Sequence, residues 1–240
     1  MHLKLIIIFH GASEKCPTGF VQLCLELLGD GMKALIVCND PYVPLALRLI
    51  RSIRKWMPGL KIIIGDIGIS DRTVFGECEF IKGPECPSFK KIHDESWIKC
   101  VNQKTQLLRE CLKNHDETII LMDADQELRQ DLTSLIDPTT VIQPCERTVP
   151  RRRRCDGRMM RYIGSVLIAH GKRALPIVDK WIHTIECLSR QIRPPYETPA
   201  LCDVFESFDG VLKTIPENVT KHYRSEPYYT HKDHLKHRGL

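Results

Sequence analysis

Apolar residues in this chain come in short blocks separated by helical and charged stretches. Residues 33–39 read KALIVCN, a continuous run of the kind found in strands buried on both faces of a sheet. Pro41 follows, and residues 45–56 carry a helical pattern. Pro58-Gly59 breaks the chain, and residues 60–64 (LKIII) supply a second run rich in β-branched side chains. A strand, a helix and a strand in that order predict a right-handed crossover and a parallel pair. Residues 95–113 are helical in pattern, with Trp97, Val101, Leu108 and Cys111 on one face, and residues 118–122 (TIILM) form a third buried run. Further strands are expected at 141–145, 164–169 and 211–215, and helices at 174–189 and 199–208, with no internal repeat and no dividing linker. The expectation is an α/β fold, a single domain over residues 1–240 with a mainly parallel central sheet flanked by helices.

Composition changes this picture little. With 42% apolar and 27% charged residues in 240, the chain is neither disordered nor a disulfide-stapled miniprotein. Apolar runs such as residues 5–9 are far shorter than the roughly 20 residues of a membrane helix, and His10 ends that first run too early for a secretory signal. The 11 cysteines are odd in number, contain no CxxC, and several (Cys24, Cys38, Cys111) fall in apolar patterns. They read as reduced thiols of a cytoplasmic protein, in which the sequon Asn218-Val219-Thr220 carries no meaning.

Charge is uneven. Residues 121–145 hold one Arg against five acids, whereas residues 146–240 hold 18 Lys and Arg against 11 Asp and Glu, an asymmetry that suits a divalent cation and an anionic ligand held between the two. The acids concentrate at strand ends, where open α/β sheets bind ligands. Asp123-Ala124-Asp125 ends the third strand, and two carboxylates so spaced reach one hard cation directly or through water. The structural alternative is a pair of loop acids capping the next helix. A second cluster, residues 65–73 (GDIGISDRT), ends the second strand; its glycines permit close backbone approach, and Asp66 offers an acceptor to a base or to ribose hydroxyls. The alternative there is a turn and a helix capped by Ser70 or Asp71.

Together these segments resemble the nucleotide-sugar-dependent glycosyltransferases of the GT-A fold, family 2 and its relatives, well over residues 33–137 and more weakly to about 221. In that family the second strand ends in a pattern like DDGSxD-x-T, matched here by Asp66, Gly68, Asp71 and Thr73, with Ile67 in place of the second acid. The resemblance implies donor binding by Asp40, Asp66 and Gly68, with Asp66 on the base. It implies a metal bound most directly by Asp125, with Asp123 near the ribose or the ion, and a role for Lys104, since relatives place a Lys or Arg on the preceding helix. Glu197, in a loose match to an acid-x-A-L pattern, is the first choice for a general base or acceptor-binding acid, and Asp203 the second; helix-terminal or solvated acids are the alternative. A C-terminal His completing the metal shell would be His231 or His234, unless that polar tail is simply exposed.

The implied activity is transfer of a sugar from a nucleotide-diphosphate-sugar, a UDP-sugar foremost, to a hydroxyl of a glycan, lipid or protein, with Mn²⁺ or Mg²⁺. Residues 33–137 would form the donor half and 138–240 the acceptor half. Arg151, Arg152, Arg153 and Arg154 read as a mobile loop, with three uses open: a solvated segment, a lid on diphosphate or an acidic acceptor, or a peripheral contact with anionic lipid. No nucleic-acid module accompanies them, so no nucleic-acid partner is expected. The competing functions are a phosphohydrolase using the Asp123/Asp125 pair, disfavoured by Glu127 where such enzymes carry Thr or Val, and an inactive nucleotide-sugar-binding module.

Overall fold

The computed structural model describes residues 31–86, 95–152, 157–190, 197–208 and 213–222, which fall within one compact unit spanning 31–240. The apolar runs become its central strands: β1 (Met32–Cys38), β2 (Lys61–Asp66) and β4 (Thr118–Asp123), with the short β3 (Glu79–Lys82) at the edge. Pairings β1 to β2, β1 to β4 and β2 to β3 are all parallel. Along each central strand alternate residues enter opposite cores, as the two-residue period of a strand requires. Leu35, Ile63 and Leu121 face one core, while Ile36, Ile64 and Met122 face the other.

Helices fill both cores. Helix α1 (Val43–Trp56) starts with Pro in its first turn and ends in Arg54 and Lys55, both favourable to its ends. It buries Leu45, Leu49 and Ile53 in the second core. Helices α2 (Glu95–Asn114), α3 (Leu175–Ser189) and α4 (Glu197–Glu206) pack in the first, around Leu108 and Trp181. Among the residues expected on one face of α2, Leu108 and Cys111 are fully buried; the Trp97 side chain lies outside the described residues.

Beyond β4 the sheet continues through β7 (Met159–His170) and β6 (Ile142–Arg152) to β8 (Ile215–Pro216), in the order β3-β2-β1-β4-β7-β6-β8. The β4 to β7 and β7 to β6 pairs are antiparallel and β6 to β8 is parallel, so the sheet is mainly parallel, as expected. Two strands of three residues, β5 (Gln126–Leu128) and β9 (Thr220–His222), pair antiparallel as a separate ribbon.

The structure corrects two expectations. Arg151 and Arg152 belong to a strand, paired with Met160 and Met159, because β6 runs on past the apolar segment as an exposed hairpin arm; Arg153 and Arg154 lie outside the described residues. The last apolar segment yields a strand only at Ile215–Pro216, with 211 and 212 outside the described residues. No described helix is long and apolar enough to cross a membrane, and the eight described cysteines are free thiols.

Candidate active site

Three elements bring one buried cation between two carboxylates. On α2, Lys104 lies in the same stripe as Cys100, Leu107, Leu108 and Cys111, at spacings of three and four, so its stem is buried with them. Its ammonium donates to Asp123 Oδ1 at the end of β4 (2.9 Å) and to the Gly164 carbonyl on β7 (3.0 Å), and it lies 3.1 Å from Glu197 Oε1 at the start of α4. The Lys104 and Glu197 side chains are 8% and 7% exposed, so neither is a solvated group. Thr198 Oγ1 donates to Glu197 Oε2 (3.0 Å), and Trp181 Nε1 donates to the Glu197 carbonyl (3.0 Å), fixing the helix start. Room for this carboxylate comes from Gly164: a Cβ there would lie 1.8 Å from Glu197 Oε1.

The electrostatics follow from burial. Desolvation alone would lower the Lys104 pKa, but Asp123 and Glu197 outweigh it and hold the ammonium well above its ordinary value. Burial raises the Asp123 carboxyl, and Asp125 and Glu197 push the same way against the pull of Lys104. One lysine thus serves two acids, and with Asp125 the wall has more negative than positive charge to present.

Asp125, two residues on, has a 7% exposed side chain, and its Oδ2 lies 3.3 Å from His222 Nε2. The β5–β9 ribbon makes this contact, since Gln126 pairs with His222 in register. A carboxylate and an imidazole form a borderline donor set that suits Mn²⁺ better than Mg²⁺. Among the described residues no group of three His, Cys, Asp or Glu side chains forms a ready-made cation cage, so these two would need a ligand's oxygens to complete a shell. His231 and His234 lie outside the described residues.

The cluster at the end of β2 is different. Asp66 is buried, and its Oδ1 accepts the amides of Gly68 and Ile69 (both 2.9 Å) while Oδ2 accepts Arg72 Nε (2.8 Å) and pairs with Arg72 Nη2. Burial works to raise its pKa, but these donors prevail and hold the carboxyl below its ordinary value. Gly68 takes φ +127°, which only glycine adopts freely, and its carbonyl accepts the Asp40 amide (3.0 Å). Asp40 in turn accepts the Ser70 amide (2.7 Å) and pairs with the Ser70 hydroxyl, stapling the turn after β1 to the loop after β2. Asp71 accepts the Thr73 amide (2.9 Å) and hydroxyl (2.6 Å), a local turn that starts a short 3₁₀ helix.

Between these clusters opens a cavity of about 250 Å³, lined by Asn39, Ile67, Lys104, Asp123, Asp125, Arg147, Ser165, Glu197, Thr198 and His222. Asp40, Asp66 and Gly68 are not part of the lining, which their neighbours Asn39 and Ile67 reach. Asp203 is elsewhere, paired with Arg158 (3.2 Å), so of the two acids named from α4 only Glu197 reaches the cavity. Sequence reasoning passed over Gly164, His222 and Arg147. His222 ends a three-residue strand too short to show a period, and the need for glycine at 164 arises only once Glu197 is in place.

No family model matches the sequence, and neither does any curated protein. Solved structures do. The chain is similar to the galactosyltransferase LgtC in complex with donor and acceptor sugar analogs, with TM-score 0.57 and 15% identity over 87% of this chain and 95% of that one. It is also similar to the glycosyltransferase GlyE of Streptococcus pneumoniae TIGR4, with TM-score 0.53 and 15% identity over 76% of this chain. This chain spans 44% of the length of that protein. At such identity the likeness is one of fold, and the fold is GT-A.

Proposed function

We propose that the chain is a metal-dependent glycosyltransferase that moves a sugar from a nucleotide-diphosphate-sugar, a UDP-sugar foremost, to a hydroxyl acceptor. The observation that carries this reading is the convergence of Asp123, Asp125, Lys104, Glu197 and His222 on one cavity at the carboxyl ends of β1 and β4. A Mn²⁺ or Mg²⁺ held by Asp125 and His222, with Asp123 beside them, would when bound supply Lewis-acid neutralisation of the leaving diphosphate.

The chain's own residues do the rest. Lys104 holds Asp123 and Glu197 in one fixed arrangement, so neither has to reorganise as charge develops. Glu197 is the general base: its carboxylate takes the proton of the acceptor hydroxyl as that oxygen bonds to the anomeric carbon and the bond from that carbon to phosphate breaks. Asp66, Gly68 and Asp40 act at the nucleotide end by shaping the loop behind Ile67 and Asn39 rather than by offering free acceptors. Residues 33–137 thus serve the donor, with His222 added from the other half, and 138–240 otherwise serve the acceptor. The phosphohydrolase alternative is disfavoured by Glu127, which stands where such enzymes carry Thr or Val.

Asp125→Ala tests the assignment. Transfer from a labelled donor is expected to fall about a thousandfold, the order seen when a group that stabilises developing charge is removed, with far-UV circular dichroism unchanged. Wild-type turnover by this variant at saturating Mn²⁺ would sink it.

A further inference from the structure

The cavity wall contains a cation that the proposed reaction does not use. Arg147 stands on β6, where the register with β7 is broken between Glu146 and Arg151. Its side chain is 7% exposed, and among the described residues its nearest carboxylate, Glu217 Oε1, lies 3.9 Å from Nη1. Glu217 is itself occupied, its Oε2 accepting the Thr148 amide at 3.0 Å. Among the described residues, Arg147 Nε has no hydrogen-bond partner. A guanidinium taken out of water with a donor unused is costly, and buried polar groups in native proteins nearly always find a partner. Burial foremost, then the charge of Arg151, lowers the Arg147 pKa against the weak help of Glu217, so the environment is short of negative charge at this point.

Position narrows what the missing partner is. In the sheet order β1-β4-β7-β6, Arg147 is two strands beyond the Asp123/Asp125 turn, on the side away from β1, β2 and the Asp66 loop. The nucleotide end is therefore at the opposite wall. Lys104, the other cation of the lining, is already shared between Asp123 and Glu197, whereas Arg147 keeps a donor unused among the described residues, which makes the Arg147 corner the place for a further anion. Arginine's planar fork matches the oxygens of a carboxylate or phosphate in two parallel hydrogen bonds.

We propose that Arg147 recognises a carboxylate or phosphate carried by the transferred sugar or by the acceptor, making this a site for an acidic saccharide. The inference rests on the proposed donor site for its orientation, and the experiment separates the two. Calorimetry compares UDP-glucuronate with UDP-glucose in the presence of Mn²⁺, the donor arm. With UDP and Mn²⁺ bound, it then compares glucuronate or glucose 6-phosphate with glucose, the acceptor arm. The anionic ligand is expected to bind at least about tenfold tighter than its neutral counterpart in one arm, as loss of a charged hydrogen bond implies. Arg147→Gln should bring that ratio to about one, and Arg147→Lys, which keeps the charge but not the fork, should retain part of it. Equal affinities in both arms, or a preference that survives in Arg147→Gln, would overturn the proposal. Failure of UDP to bind with Mn²⁺ would instead count against the glycosyltransferase reading. In that event the Arg147 Nε–H resonance of ¹⁵N-labelled protein, titrated with glucuronate and with inorganic phosphate, decides: a saturable shift supports the anion site, and no shift rejects it.

Discussion

At the end of β2, Asp66 commits both oxygens to the amides of Gly68 and Ile69 and to Arg72, all within six residues of itself. At the end of β4, Asp123 meets Lys104 from α2 and, through it, Glu197 from α4. The two clusters lie at the carboxyl ends of strands that both flank β1, and either one reads as a ligand-binding acid motif. Their energetics differ. The first is satisfied by its own loop, so its stabilisation goes into the shape of that loop. The second is assembled by the tertiary fold and leaves net negative charge at a cavity, which is what a site for a cation and a diphosphate requires.

Removing the cation from the assembled cluster should have the largest effect. Lys104→Met leaves Asp123 and Glu197 facing each other without compensation, a change of about 3–5 kcal/mol for a broken buried pair. A loss of unfolding free energy of that order, read from a lowered urea midpoint, is expected at neutral pH, with partial recovery in Lys104→Met/Glu197→Met. An unchanged midpoint would mean that the lysine contributes no more than a surface charge.

Gly164→Ala sharpens the contrast without touching a charge. Its Cβ would overlap Glu197 Oε1, so the carboxylate must swing away, costing about 1–3 kcal/mol as overpacking does. Loss of kcat well beyond any loss of stability is expected, because the displaced group is the proposed base. Equal kcat in a folded Gly164→Ala would remove Glu197 from the reaction.

Asp66→Asn gives the smallest effect, about 1 kcal/mol, since Arg72 is 46% exposed and the pair is screened. The sign with pH is fixed by the direction of the shift. The folded carboxyl is held below its ordinary value, so its contribution is complete above the unfolded carboxylate range near pH ~4 and is lost as pH falls through the lower folded value. The stability gap between wild type and Asp66→Asn should therefore close in acid. In assays at neutral pH the substitution is expected to raise the donor KM with little change in kcat, the signature of a loop that shapes rather than reacts.

The fold was largely legible because its central strands are continuous apolar runs and α1 and α2 carry clear helical stripes. The short strands were not, since three residues, as in β5 and β9, hold no period. The motif at residues 65–73 was legible as a strand end, but its Asp71-Arg72-Thr73 part is ambiguous on physical grounds. The same Asp-x-Thr turn recurs at Asp131-Leu132-Thr133 and Asp137-Pro138-Thr139, each Asp accepting the Thr amide and hydroxyl at nearly the same distances. Such a device begins a turn anywhere and marks no ligand. Asp123 and Asp125 were named from local pattern, Lys104 and Glu197 from the family resemblance, and all four line one cavity. His222 and Arg147 depend on pairings between distant strands, which local pattern does not encode.

The central claim is that Asp125 and His222 make donor binding depend on a divalent cation. Melting temperatures of the wild-type chain with UDP-, GDP- and CMP-sugars, each in Mn²⁺ and in EDTA, test it most directly, since a ligand bound only by the native state raises the transition. A rise with one nucleotide class in Mn²⁺, absent in EDTA and absent in Asp125→Ala, is the expected result. No rise with any donor, or an equal rise in EDTA, would contradict it.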